Sequence, residues 1–163
     1  MIHHPIKPVF DSESRILILG SFPSVKSREQ GFFYGHPQNR FWSVISSVCS
    51  CDIPRSIEEK RNLLLDNHIA LWDVINSCEI IGSSDSSIKN AVPNNLNTIL
   101  DSANIKYIFT NGAKAHSLYE KYCEKSTGIK AVCLPSTSPA NAAWSREKLF
   151  RVWGQALRDT GLF

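Results

Sequence analysis

Hydrophobic residues in this chain gather in short runs separated by amphipathic stretches. Arg15-Ile16-Leu17-Ile18-Leu19 is apolar until it stops at Gly20-Ser21-Phe22-Pro23-Ser24, the pattern of a strand buried on both faces that delivers a tight loop. Runs of this kind predict strands over residues 16–20, 69–74, 105–110 and 130–134. Apolar positions at helical spacing predict helices over 41–50, 56–67, 95–102, 113–123 and 146–159. That alternation reads as an α/β fold, a three-layer α/β/α sandwich on a small central parallel sheet, with residues 1–163 forming a single domain. Ser83-Ser84-Asp85-Ser86-Ser87 is a polar loop within Gly82 to Asn95, too short to link two domains. The chain has no internal repeat and no low-complexity tail.

Three segments carry chemistry. The first is the loop after the first predicted strand, where Ser21, Phe22 and Ser24 are followed by Lys26 and Arg28. The second is Gly31-Phe32-Phe33-Tyr34-Gly35-His36-Pro37-Gln38-Asn39-Arg40-Phe41-Trp42, whose aromatics offer flat faces for a nucleobase. In it Arg40 has the charge to meet a phosphate, and Asn39 can orient a water or a base edge at any ordinary pH. Phe41 and Trp42 read instead as packing beneath a helix start. The third is Pro135-Ser136-Thr137-Ser138-Pro139-Ala140-Asn141, after the last predicted strand. Ligands of open α/β sheets bind beyond the carboxyl ends of the strands, so these segments are expected to converge.

Gly20-Ser21-Phe22-Pro23, His36-Pro37-Gln38-Asn39-Arg40-Phe41-Trp42 and Leu134-Pro135-Ser136-Thr137-Ser138-Pro139-Ala140-Asn141 together resemble the uracil-DNA glycosylase superfamily, and within it the hypoxanthine-DNA glycosylases. The resemblance runs from about Pro8 to Phe163. The His-Pro-x-Asn-Arg-Phe-Trp run is also similar to the mismatch-specific uracil/thymine branch. Uracil-removing branches carry Asp or Asn two positions after the first glycine of the first loop, where this chain has Phe22.

The resemblance implies an enzyme that flips a deaminated base out of DNA, hydrolyses its N-glycosidic bond and leaves an abasic site, with Asn39 as the catalytic residue. Asn39 would accept a hydrogen from the attacking water through its carbonyl oxygen while its NH2 steadies the base; alternatively it caps the helix that follows. Tyr34 would stack on the base, unless it is a loop aromatic with its hydroxyl in water. Hypoxanthine carries a 6-carbonyl and an N1–H, so backbone N–H groups at Ser21 and Phe22 would donate and Asp73 would accept; Asp73 also reads as a cap of a following turn. Ser24, Lys26, Ser136, Thr137 and Ser138 would meet DNA, with Pro139 and Ala140 pressing into the gap the base leaves. Asn111-Gly112 is either a phosphate site at a helix N-terminus or an ordinary turn.

Composition refines this picture. At 163 residues and 42% hydrophobic the chain can bury a core without covalent staples, and a net charge of +3 suits contact with a few phosphates rather than a tight DNA coat. Five cysteines without Cys-x-x-Cys spacing read as reduced thiols, not as cluster or zinc ligands. His3 and His4, read as part of a mobile terminus, show no metal spacing with His36, His68 or His116. No metal and no cofactor are expected. The expected partner is DNA holding a deaminated base, met by a monomer in the cytoplasm, nucleoid or nucleus, away from membranes. Two other functions remain open at this point, a mismatch-specific uracil/thymine glycosylase and a noncatalytic nucleotide-binding α/β protein. No Gly-x-Gly-x-x-Gly or Walker-type loop supports the latter.

Overall fold

The computed structural model describes all 163 residues. In chain order the elements are β1 (Ile2–His3), β2 (Ile16–Gly20), α1 (Val25–Gln30), α2 (Phe41–Val48), α3 (Ile57–Asp66), β3 (Ile69–Asp73) and β4 (Ile75–Glu79). There follow a 3-10 turn at Asp85–Ser87, β5 (Lys89–Pro93), α4 (Asn97–Leu100), β6 (Tyr107–Asn111), α5 (Ala113–Tyr122), α6 (Glu124–Thr127), β7 (Val132–Leu134) and α7 (Arg146–Arg158).

The main sheet is parallel in the order β3-β2-β6-β7. All five residues of β2 and of β3 are buried, which is why these strands read as unbroken apolar runs: helices cover both faces and each Leu or Ile contributes roughly 1.5–3 kcal/mol by leaving water. Register is the feature that builds the site. Gly20 lies opposite Asp73, Leu19 opposite Thr110, and Asn111 opposite Leu134, so all four strands end in one row. The chain runs from β2 outward to β3, then returns to the other side of β2 as β6. The carboxyl ends of β2 and β6 therefore flank a topological switch point, the place where such sheets leave a crevice.

On one face α2 packs against α7, whose Leu149, Trp153 and Leu157 recur every four residues and are fully buried. Phe41 meets Trp153 edge-on at 6.0 Å, and the Trp153 indole N–H donates to Pro135 O at 2.9 Å, tying α7 to the loop after β7. One continuous cluster of buried side chains runs from Ile6 to Leu157. No helix is long and apolar enough to cross a membrane.

Two expectations need correction. The expected strands omit β4 and β5: β5 pairs antiparallel with β4, and β4 with β1, giving a second, three-stranded sheet. Its strands are short, polar and unevenly buried, so they carry no hydrophobic period. The N-terminus is likewise not loose, because Ile2 pairs with Cys78, His3 with Ser77, and the His4 N–H reaches Asn76 O at 2.6 Å. Residue Val9 also bridges Leu71, covering the outer edge of β3.

Candidate functional site

A pocket of about 140 Å³ opens at the carboxyl row of the parallel sheet. It takes Gly20–Ser24 from β2, Asp73 from β3, Asn111 from β6 and Ser136–Pro139 from β7, together with Tyr34, His36 and Asn39 from the aromatic segment. The convergence expected from the sequence is thus present. The volume is well below the several hundred Å³ of pockets for drug-sized ligands.

Asn39 sits at the end of a hydrogen-bond chain whose direction is fixed. Asn111 Oδ1 accepts from the Thr137 backbone N–H at 3.0 Å, so its Nδ2 must donate to Thr137 Oγ1, also at 3.0 Å. The Thr137 hydroxyl then donates to Asn39 Oδ1 at 2.9 Å, and the Phe41 backbone N–H donates to the same oxygen at 2.9 Å. Asn39 is therefore not the N-cap of α2, which is Arg40, but makes an Asx turn into its first residue, and both lone pairs of its carbonyl oxygen are taken. The amide faces the pocket as a donor, through Nδ2, which corrects the expectation of a water-accepting carbonyl.

The same chain removes Thr137 from the expected phosphate-binding set, since the residue has no exposed surface and its hydroxyl is engaged inside the protein. Ser136 and Ser138 accept from the backbone N–H groups of Ser138 and Ala140, rigidifying their own loop. Pro139 lines the pocket and Ala140 is exposed beside it. Arg40 is not free for phosphate either. Its guanidinium donates to Ser138 O at 2.9 Å, Asn141 O at 3.2 Å, Thr137 O and Trp144 O, clamping the loop after β7. Gly112, at φ +98°, lets that loop approach closely, for a Cβ there would stand 3.1 Å from Ser136 Cβ. Asn111-Gly112 is thus a brace rather than a plain turn.

On the opposite wall, Phe22 is buried edge-on to His4, with the Arg28 guanidinium 5.6 Å above its ring. Ser21 donates to Asp85 Oδ1 at 2.7 Å. Ser24 accepts from the Ser27 N–H and caps α1, while Lys26 is exposed beside Glu29, outside the pocket lining. Tyr34 holds a left-handed backbone at φ +54°, unusual for an aromatic residue, and stacks on Phe41 with 4.1 Å between centroids. One ring face is thereby covered. Its hydroxyl is buried without a partner instead of lying in water. Burial and the nearby Asp73 charge hold that phenol far above its usual range, and the Asn111 amide pulls the other way although no hydrogen bond joins them. Phe32 and Phe33 are core, and the Trp42 indole N–H donates to Phe33 O at 3.1 Å.

Asp73 caps no turn. His4 Nε2 meets its Oδ2 at 2.7 Å, with both side chains at most 4% exposed. Gly20 is what lets Asp73 and Tyr34 come together: a Cβ there would fall 2.4 Å from Asp73 Oδ1 and 2.9 Å from the Tyr34 hydroxyl. Sequence reasoning missed His4 and Asp85. Asp85 lines the pocket rim; burial of its carboxyl raises its pKa, with the Ser21 hydrogen bond opposing. Neither residue carries a local signal, since both reach the site through the antiparallel sheet and its turn.

A pocket at a switch point, lined by an amide, two carboxylates and a stacked tyrosine, has the polar groups to meet the edge of a heteroaromatic base. The chain belongs to the uracil DNA glycosylase superfamily, whose family model matches residues 7–158. It is 36% identical over 137 residues to the hypoxanthine DNA glycosylase of Methanosarcina barkeri, covering 82% of this chain and 85% of that one. It is 33% identical over 150 residues to the hypoxanthine DNA glycosylase of Methanosarcina acetivorans, covering 91% and 94%. It is similar in structure to a proposed uracil DNA glycosylase from M. acetivorans solved by NMR, with a TM-score of 0.82, 32% identity and 98% of each chain covered.

Proposed function

We propose that this protein excises hypoxanthine from deoxyinosine in DNA by hydrolysing the N-glycosidic bond. The observation that carries the reading is the pocket floor, where Asp73 Oδ1, an acceptor with no partner in the protein, and the unpartnered Tyr34 hydroxyl approach the same point above Gly20. A 6-oxopurine offers an N1–H to the first and a carbonyl to the second, whereas adenine offers a ring acceptor and an amino group. The likeness to two hypoxanthine DNA glycosylases supports the same substrate. Phe22, at a place where a uracil-removing loop carries an amide or carboxylate, speaks against the uracil/thymine alternative.

Departure of the base leaves positive charge on the sugar and negative charge on the purine. Asn39, the catalytic residue in this reading, presents its NH2 to a ring nitrogen of the leaving base; water adds to C1′ as the C1′–N bond breaks, and the proton it loses goes to the departing purine anion. The rigid Thr137–Asn111 chain behind it makes that donor preorganised. Asp73 and Asp85 give the pocket a negative potential that favours the sugar cation, and no lysine lines the pocket to form a Schiff base. The Ser136–Ala140 loop, with Ser24, Lys26 and Gly112 near the rim, faces the DNA backbone. Residues 1–163 act as one domain and as a monomer, in the compartment that holds the DNA.

The test is a duplex with one deoxyinosine. Free hypoxanthine and an alkali-labile abasic site are expected, with no strand break before alkali or heat. Release of uracil or mismatched thymine, with deoxyinosine untouched, would overturn the substrate, and breaks without alkali would overturn the hydrolytic mechanism.

A further inference from the structure

The pocket's most buried charge contact lies outside every motif that carries the resemblance. His4 arrives on the end of β1 and is enclosed by Phe22, Phe33 and Trp72, whose ring centroids lie 5.9, 6.1 and 6.4 Å away. Its Nδ1 accepts from the Ile6 backbone N–H at 3.2 Å, so in this geometry the ring proton is on Nε2. That N–H points at Asp73 Oδ2, 2.7 Å away. Asp73 itself lies opposite Gly20 in the parallel ladder, and its backbone carbonyl accepts from the buried Asn94 amide at 2.9 Å. The residue is therefore held at both ends, and only Oδ1 remains for a ligand.

We infer that His4 is a positioning residue for base selection: by holding Asp73 Oδ2 with a fixed Nε2–H, it leaves one pure acceptor in the pocket and so admits bases with a ring N–H beside a carbonyl. This rests on the reading of the pocket as a base-excising site. Hypoxanthine N1–H and uracil N3–H satisfy Oδ1. Adenine N1 and cytosine N3 bring a lone pair against it and leave two acceptors facing each other in a desolvated space. The device separates oxo from amino bases, and guanine must be rejected at its 2-amino group by other walls.

Fixing the partner of Oδ2 makes an unusual prediction for the amide substitution. In Asp73→Asn the His4 N–H still demands an oxygen, so the new carbonyl turns to His4 and the NH2 turns into the pocket. The acceptor becomes a donor. With His4→Met, which keeps bulk but no donor, the amide is released and can turn its oxygen back to the base. The same His4 substitution therefore harms the protein that keeps Asp73 and helps the Asp73→Asn variant, a sign change that a purely structural role cannot produce.

The experiment measures single-turnover excision of deoxyinosine and melting temperature for wild type, His4→Gln, His4→Met, Asp73→Asn and the double variant Asp73→Asn with His4→Met. His4→Met and Asp73→Asn are each expected to lose about 10- to 100-fold in rate, His4→Gln to keep most of it through its own N–H, and the double variant to exceed Asp73→Asn alone. Equal rates for His4→Gln and His4→Met, or additive losses in the double variant, would overturn the inference. Where His4→Met does not fold, Asp73→Asn with His4 intact decides it: retention of more than a tenth of the wild-type rate refutes the locked donor. Long-range proton–nitrogen spectra of His4 supply a readout that needs no activity, with the neutral Nε2–H tautomer expected and an Nδ1–H tautomer fatal. A wild-type protein that leaves deoxyinosine intact but removes uracil sinks the hypoxanthine reading alone, because the same series scored on uracil still tests His4.

Discussion

At the scale of single residues, the orientation of Asn39 decides between two mechanisms. Its carbonyl oxygen accepts from Thr137 and from the Phe41 N–H, leaving an N–H2 donor for the ligand. Asn39→Ala should slow single-turnover excision by about 100- to 1000-fold, the usual cost of removing one preorganised partner. Loss of the Phe41 hydrogen bond alone would cost only about 1 kcal/mol of stability. Asn39→Asp keeps an oxygen for Phe41 and Thr137 but turns a second oxygen into the pocket, so it should melt near wild type and remain almost as slow as alanine. Near-complete rescue by aspartate would show that the group works as an acceptor for water, and the donor assignment would fall. Thr137→Val should give an intermediate rate loss, because it leaves the Phe41 N–H on Asn39 Oδ1 while removing the hydroxyl that sets its amide.

At the scale of elements, the loop after β7 is held by Arg40 from the start of α2 rather than by its own strand. Four carbonyl contacts from one guanidinium fork are a task for which a single ammonium has the wrong geometry. Arg40→Met should lower stability by about 3 kcal/mol, the scale of charged hydrogen bonds to buried carbonyls, or roughly 6–12 °C in a domain of this size. Excision should fall with it, since Thr137 rides on that loop. A variant that melts like wild type and loses only DNA affinity would restore Arg40 to the phosphate role its charge suggests. The parallel strands were legible because burial on both faces leaves an unbroken apolar run, as in Ile16–Leu19, and the loops they deliver follow from sheet topology. β1, β4 and β5 were not legible: Lys89 to Pro93 is mostly exposed and Ile2–His3 is two residues long, so their pairing is a tertiary event with no local pattern. The site divides the same way. Asn39, Tyr34 and Asp73 stand in strand ends or motif loops, while His4 and Asp85 come from the antiparallel sheet that no periodicity announces. Arg40 was visible as a charge, but whether it meets phosphate or carbonyl oxygen depends on a loop nearly a hundred residues away.

At the scale of the whole molecule, charge is distributed against a broad electrostatic grip on DNA. The net charge is only +3, and Asp73 and Asp85 line a pocket that no lysine or arginine enters. Arg40 is occupied by loop carbonyls, Arg28 donates to Gly82 O at 3.0 Å, and Lys26 faces Glu29, so few cations near the rim are at liberty to displace counterions. Each neutralised phosphate contributes a slope of about −0.9 to the dependence of log affinity on log salt for duplex DNA. A protein of this kind should therefore show a slope no steeper than about −4, with deoxyinosine duplex affinity falling by about 250-fold at most between about 50 and 200 mM salt. Once bound, the flipped base sits among fixed dipoles that mobile ions do not reach, so the single-turnover rate at saturating protein should be nearly independent of salt. Binding titrations and rapid-quench excision over the same salt series separate the two quantities. A slope near about −8 would mean that a basic surface outside the pocket dominates DNA capture. A chemical step that slows with salt would mean instead that the charge acting in the transition state is exposed to solvent, against the enclosed position of Asp73.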